Sequence, residues 1–96
     1  MQELAEAHFA PADVPWVLRT ARCESGYDIH AYSAGFDRRL GVFYQFFGAL
    51  QVDGITWRAA ARDLLGVDLA EPSGNFAMAA WVLDHFGPSH WPVCGR

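Results

Sequence analysis

The residue of this sequence best suited to chemistry is Glu24, which follows an apolar helical stripe. The apolar residues before it recur at the i, i+3, i+4 and i+7 positions of one helical face: Val14, Val17, Leu18 and Ala21. Glu24 follows on the same side of the predicted helix. Because an ionised carboxylate is costly to bury, its pKa should rise, which suits a general acid working near neutral pH. The alternative is that Glu24 lies at a frayed helix end, where water solvates it.

The same periodicity predicts helices along the chain, so we expect an all-α fold with short loops. The first helix has Asp13 as its N-cap and stops at Gly26, and residues 27–39 are predicted to form a loop. A second helix is predicted over residues 40–50. Its apolar stripe repeats at helical spacing: Phe43, Phe46, Phe47 and Leu50.

Two further helices complete the predicted fold. The third has Thr56 as its N-cap and ends at Gly66, and the fourth begins near residues 73–75 and ends at Gly87. No segment alternates apolar and polar residues well enough to predict a strand. Because a chain of 96 residues has the size of one domain, we expect a single domain over residues 1–96.

Composition and charge exclude several classes of protein. Apolar residues make up 52% of the chain, which is enough for a packed core and excludes a disordered tail. The net charge is −4 and there is no run of Lys or Arg, so no nucleic-acid binding is expected. The apolar runs are far shorter than a membrane span, and no basic start precedes an apolar stretch. We therefore predict neither a transmembrane helix nor a signal peptide, and we expect a monomer.

The two cysteines, Cys23 and Cys94, allow two interpretations. Neither belongs to a CxxC pair, and the four histidines lack the spacing of metal ligands, so no metal or other cofactor is expected. A disulfide between the cysteines would close a loop of about 72 residues and stabilise a small domain by roughly 4 kcal/mol. We favour this bridge, which would imply an oxidising compartment. The alternative is two free, buried thiols in a cytoplasmic protein.

Several short motifs occur in the order and spacing of a known superfamily. Residues 22–28 read Arg-Cys-Glu-Ser-Gly-Tyr-Asp, residues 31–35 read Ala-Tyr-Ser-Ala-Gly, and Leu-Gly-Val-Phe leads to Gln45. Pro72 and Asn75 open a late helical segment, and the chain closes on Trp-Pro-Val-Cys-Gly-Arg. Together these motifs resemble the lysozyme-like superfamily, in particular the SLT-type transglycosylase domains and goose-type lysozymes of actinobacterial or phage-associated members. The resemblance covers the chain from about residue 13 to its end.

The resemblance implies cleavage of peptidoglycan glycan strands between N-acetylmuramic acid and N-acetylglucosamine. Glu24 would act as catalytic acid and base, and Ser25 would orient the sugar, although its hydroxyl could instead cap the helix. The residues that the resemblance suggests for glycan binding are Gln45, Asn75, Tyr32, Tyr44 and Trp91, of which the three aromatic residues could instead belong to the core or the surface. It also implies a location outside the cytoplasm, in the periplasm or cell wall or with a phage.

Departures from the superfamily pattern leave the reaction open. Gly41 and Gln45 are four residues apart instead of three, and on a helix one extra residue would rotate Gln45 by about 100°. The late tyrosine motif of many transglycosylases is not evident in residues 85–90. Hydrolysis with inversion would need a second carboxylate, for which Asp37 is the best candidate, although Asp37 could instead pair with a basic neighbour. Lysozyme and lytic transglycosylase therefore both remain open.

Two other classes of function compete with catalysis. A catalytically impaired lysozyme-like domain could bind glycan without cleaving it, and the acidic charge balance favours this, since many cell-wall lytic enzymes are basic. A helical interaction or DNA-binding domain is a third class, which the missing basic face disfavours. The Glu24→Gln variant would separate the first two classes, because cleavage should stop while glycan binding persists.

Overall fold

Four helices and a three-stranded antiparallel sheet form this protein in a computed structural model that describes all 96 residues. In chain order the elements are α1 Gln2–His8, α2 Val14–Ser25, β1 Tyr32–Asp37, β2 Val42–Phe47, β3 Val52–Asp53, α3 Gly54–Ala60 and α4 Pro72–Phe86. A π-helical turn, Ala61–Leu65, continues α3, and short 3-10 turns cover Pro11–Asp13 and Gly87–His90. The fold is therefore mixed α and β, and the all-α prediction is wrong.

A β-hairpin replaces the predicted second helix and part of the predicted loop over residues 27–39, whose first five residues are not in a strand. All six residues of β1 pair with β2, and β2 pairs in turn with β3. The β2 sequence, Val-Phe-Tyr-Gln-Phe-Phe, is almost entirely β-branched or aromatic, and such residues favour strands. The phenylalanines of the predicted helical stripe lie on both faces of this strand. Phe43 and Phe47 are on one face and Phe46 is on the other.

A tight turn at Asp37 closes the hairpin. Oδ1 of Asp37 accepts hydrogen bonds from the backbone N–H groups of Arg39 (2.9 Å) and Leu40 (3.2 Å). Gly41 follows with a φ of +67°, a conformation that glycine adopts without steric cost. Because turn geometry sets the register of a hairpin, these local bonds decide which β1 and β2 residues share a face.

The other predicted helices are present, although one starts earlier than expected. α2 follows Asp13 and ends at Gly26 in the left-handed conformation, as predicted, but the Asp13 side chain makes no capping hydrogen bond. α3 begins before Thr56, because Oδ1 of Asp53 accepts hydrogen bonds from two backbone N–H groups of its first turn (3.0 and 3.4 Å). The two later helix ends are confirmed at glycines: Gly66 and Gly87. None of the helices is both long and apolar enough to cross a membrane.

The core includes α1, a helix that the sequence periodicity did not identify. α1 packs against α2 and α4 and buries Ala5. The ring of Phe9, just after α1, meets that of Phe76 edge to face, with 6.3 Å between centroids. In the C-terminal segment, Trp91 is buried and its Nε1 donates a hydrogen bond to the carbonyl oxygen of Leu50 (2.7 Å). This bond attaches the C-terminal segment to the turn between β2 and β3.

A disulfide joins Cys23 near the end of α2 to Cys94 in the C-terminal segment, with 5.5 Å between the Cα atoms. No free cysteine remains, so the predicted bridge is confirmed and the alternative of two free thiols is wrong. Trp16 supplies a second attachment, because its Nε1 donates to the carbonyl oxygen of Gly95 (2.8 Å) and its ring packs edge-on against Trp91. The C-terminal segment is therefore held against α2 at two places.

Candidate active site

Glu24 lines a cavity of about 230 Å³ at the C-terminal end of α2. The other walls come from β2, from the turn before β3 and from the C-terminal segment. The lining residues are Glu24, Phe46, Gln51, His90, Pro92, Val93 and Cys94. Because these residues are far apart in the sequence, the tertiary fold assembles the cavity around Glu24.

The Glu24 carboxyl is partly buried and has no partner in the protein. Burial raises the pKa of Glu24 above its ordinary value, as the sequence predicted, and no charge or hydrogen bond opposes that effect. The single salt bridge of the structure, between Arg62 and Asp63 (3.0 Å), lies elsewhere. A carboxyl with a raised pKa and no partner can give its proton to a bound oxygen atom and later accept another, which is general acid and base catalysis.

Ser25 has a structural role beside Glu24. Its hydroxyl lies within hydrogen-bond distance of the carbonyl oxygens of Ala21 (3.1 Å) and Ala49 (2.8 Å), and it accepts a hydrogen bond from the backbone N–H of Asp28 (3.1 Å). Because a hydroxyl has one proton, Ser25 has no further donor to offer a sugar. These bonds join the end of α2 to the loop before β1 and to the turn after β2, and so fix the position of Glu24.

Gln51 is a polar residue of the cavity that the sequence analysis missed. Its Oε1 accepts a hydrogen bond from the hydroxyl of Ser33 (2.8 Å), and its Nε2 donates to the carbonyl oxygen of Gly48 (3.1 Å). The amide is therefore held in place at the cavity wall. No motif in the sequence marks Gln51, because only the turn between β2 and β3 brings it into the wall of the Glu24 cavity.

His90 is the second residue of the cavity that was missed as a site residue. Its Nε2 accepts a hydrogen bond from the backbone N–H of Asp53 (3.3 Å). Burial lowers the pKa of His90 below its ordinary value, although the charge of Asp53 and the backbone of Gln51 offset part of this effect. The imidazole is therefore neutral near neutral pH, as its acceptor role at Nε2 requires. The sequence analysis weighed the four histidines only as possible metal ligands, and so gave His90 no place in the site.

A second cavity, of about 380 Å³, runs along the outer part of β2 and shares Phe46 with the Glu24 cavity. Its lining residues are Asp37, Leu40, Val42, Phe43, Tyr44, Phe46 and Asp53. Phe43 is 73% exposed and Tyr44 is 38% exposed. Exposed apolar groups next to a cleft are typical of a ligand-binding groove.

Asp37, the predicted second carboxylate, lies in this second cavity and not among the residues that line the Glu24 cavity. Its Oδ1 is occupied by the hairpin turn described above, which leaves Oδ2 free. Asp53 is the other carboxylate of the second cavity, but its oxygens cap α3, with Oδ2 accepting from the hydroxyl of Thr56 (2.6 Å).

Gln45 and Tyr32 lie on the face of the hairpin opposite to Phe46, and therefore away from the Glu24 cavity. They pair with each other, because Nε2 of Gln45 donates a hydrogen bond to the Tyr32 hydroxyl (3.0 Å). The expected rotation of Gln45 by about 100° is wrong, because Gln45 lies on strand β2 and not on a helix. On a strand, one extra residue moves a side chain to the opposite face.

Asn75 and Trp91 are core residues, so the substrate-binding roles predicted for them are corrected. Asn75 has no exposed surface, and its Nδ2 donates to the carbonyl oxygens of Phe47 (2.8 Å) and Leu69 (3.3 Å). Trp91 is 1% exposed and bonds to Leu50 as described above. Neither side chain has surface available to a substrate.

No protein-family model, no curated protein and no solved structure matches this chain. No group of three or more His, Cys, Asp or Glu side chains is placed to hold a metal ion. The functional conclusion therefore depends on the chemistry of the Glu24 cavity and on the sequence motif around it.

Proposed function

We propose that this protein cleaves peptidoglycan glycan strands as a lysozyme-like enzyme, with Glu24 as its catalytic acid and base. The observation that carries the proposal is the placement of Glu24, a partly buried carboxyl without a partner that lines a cavity and has a raised pKa. The substrate class comes from the Arg-Cys-Glu-Ser-Gly motif at residues 22–26, which resembles the catalytic motif of that superfamily.

In the proposed reaction, protonated Glu24 donates its proton to the glycosidic oxygen between N-acetylmuramic acid and N-acetylglucosamine. The bond from C1 of the muramic residue to that oxygen breaks through an oxocarbenium-like transition state. The Glu24 carboxylate then takes the proton of the muramic 6-hydroxyl while the hydroxyl oxygen bonds to C1. This step closes a 1,6-anhydro ring and restores the protonated acid.

The arrangement of carboxylates favours this lytic reaction over hydrolysis. Glu24 is the only carboxylate that lines its cavity, and Asp37 lines the neighbouring one. Inverting hydrolysis needs a second carboxylate on the opposite face of the same sugar ring to activate water. The lytic reaction needs no second carboxylate, because the nucleophile is a hydroxyl of the substrate itself.

The second cavity supports the proposal that the substrate is a polymer. Since both cavities share Phe46, sugars next to the cleaved bond would continue along β2. There the ring of Tyr44, on the same face of β2 as Phe46, offers a flat apolar surface for a sugar ring.

The test is a digest of purified peptidoglycan with the wild type, with Glu24→Gln and with Glu3→Gln, followed by mass spectrometry of the released fragments. Glu3 is a matched control because it is an exposed glutamate on α1. We expect 1,6-anhydro fragments from the wild type and from Glu3→Gln and none from Glu24→Gln.

Other outcomes would change the proposal in defined ways. Fragments heavier by one water would show hydrolysis, and would make Asp37 the next residue to replace. Binding of the glycan without any release, by a folded wild type with its disulfide intact, would refute the enzymatic proposal and support a glycan-binding module.

A further inference from the structure

A third cavity, of about 740 Å³, is larger than the two described above and shares no lining residue with them. It lies between α3, the π-helical turn and the loop that precedes α4. The residues that decide its chemistry are Ile55, Arg58, Arg62, Val67 and Asp68. It therefore combines apolar walls with two guanidinium groups.

Arg58 is the group in this cavity best prepared to bind an anion. Its guanidinium lies over the ring of Phe47, with 5.2 Å between its central carbon and the ring centroid. This cation–π contact restricts the side chain before any ligand arrives. The guanidinium makes no ion pair, since the single salt bridge joins Arg62 to Asp63, so its N–H groups remain free for an acceptor.

Arg62 adds a second positive charge to the cavity. It donates through Nε to Oδ1 of Asp63 (3.0 Å), and its terminal amino groups remain free. Asp68 is the one negatively charged residue of the lining. Its Oδ1 accepts a hydrogen bond from the backbone N–H of Ala70 (2.9 Å). The formal charge of the lining is therefore two minus one, or +1, which suits a monoanion better than a dianion such as phosphate.

We propose that this cavity binds a carboxylate attached to a small apolar group, such as the C-terminus of a short peptide with small apolar side chains. The carboxylate would accept two parallel hydrogen bonds from Arg58, since a planar guanidinium matches a carboxylate in this way. The apolar part would pack against Ile55 and Val67. This proposal does not depend on cleavage of a glycan.

The experiment is a titration of the ¹⁵N-labelled protein with acetyl-alanyl-alanine, followed by amide chemical shifts. We expect saturable shifts at backbone amides around the cavity, such as those of Ile55 and Val67. The same dipeptide with an amidated C-terminus should not bind, because it lacks the carboxylate. Inorganic phosphate should bind more weakly than the peptide, since it offers no apolar contact and carries more charge.

Arginine variants locate the binding group. Arg58→Gln should weaken the peptide at least about tenfold, because a hydrogen-bonded charge is lost. Arg58→Lys should also weaken it, since an ammonium cannot form the paired bonds. Arg19→Gln is the matched control, because Arg19 is an exposed arginine outside all three cavities. If Arg58→Gln fails to fold, Arg62→Gln provides the same comparison with a smaller expected loss.

Three results would overturn the proposal: no saturable shift up to the solubility limit of the peptide, equal binding of the acid and the amide, or wild-type affinity in both Arg58→Gln and Arg62→Gln. Phosphate binding as tight as the peptide would overturn the assignment of an apolar carboxylate. The Glu24→Gln variant should bind the dipeptide with unchanged affinity, so this proposal and the glycan-cleavage proposal can fail independently.

Discussion

Replacing both cysteines with serine should destabilise the protein strongly and should also change the chemistry of Glu24. The disulfide joins residues 71 positions apart, and the chain-entropy model gives about 4 kcal/mol at 25 °C for a loop of that size. Domains of this kind are typically stable by about 5–15 kcal/mol, so the bridge accounts for a large part of the total. We expect the Cys23→Ser/Cys94→Ser variant to fold, but only marginally.

Urea unfolding monitored by tryptophan fluorescence measures this loss, since the chain has four tryptophans. The wild type unfolded in the presence of a reductant is the control, and its midpoint should match that of the double-serine variant. A loss of less than about 1 kcal/mol in both samples would refute the loop-entropy reasoning, because a cross-link of this length should restrict the unfolded chain far more.

The same variant tests how the site is built. Pro92, Val93 and Cys94 line the Glu24 cavity, and the bridge ties this segment to the residue next to Glu24. Without the bridge, water should reach the carboxyl more easily, and the pKa of Glu24 should fall toward its ordinary value. A ¹³C NMR titration of the glutamate carboxyls measures this. An unchanged Glu24 pKa would show that the Trp16 and Trp91 contacts hold the segment by themselves.

Three further predictions concern single residues. Since burial raises the folded-state pKa of Glu24, its contribution to stability is fully present below the ordinary value of 4.5 and is lost as the pH rises through the raised pKa. Glu24→Gln should therefore raise the thermal midpoint near pH 7 but not in strong acid, as measured by circular dichroism. The pKa of His90 is lowered from 6.5, so its contribution is present above that value and is lost as the pH falls through the lowered pKa. Thermal midpoints across this range should thus vary less with pH in His90→Gln than in the wild type, with the exposed His30→Gln as control. Asn75→Ala removes two buried side-chain hydrogen bonds to the carbonyl oxygens of Phe47 and Leu69, and should cost about 2–3 kcal/mol in urea unfolding. Its KM for glycan should stay unchanged below the unfolding transition, and a raised KM would restore a binding role to Asn75.

Local sequence determined the features that depend on a few neighbouring residues. The ends of three helices follow from glycines at 26, 66 and 87, because a helix terminates readily where the chain can turn into a conformation with positive φ. The position of Glu24 at the end of α2 follows from the apolar face of that helix, which must be buried. These features need no information from distant parts of the chain.

Tertiary structure decided the features that depend on distant partners. Residues 42–47 carry apolar side chains at spacings that fit a helix or a strand, and pairing with β1 and β3 selects the strand. That choice places Gln45 on the face away from Glu24, while the following turn brings Gln51 into the cavity. Likewise, Trp91 is buried and His90 lines the cavity because the C-terminal segment returns to α2, where the Cys23–Cys94 bridge holds it. Burial and proximity depend on contacts between residues far apart in sequence, and local periodicity carries no information about such contacts.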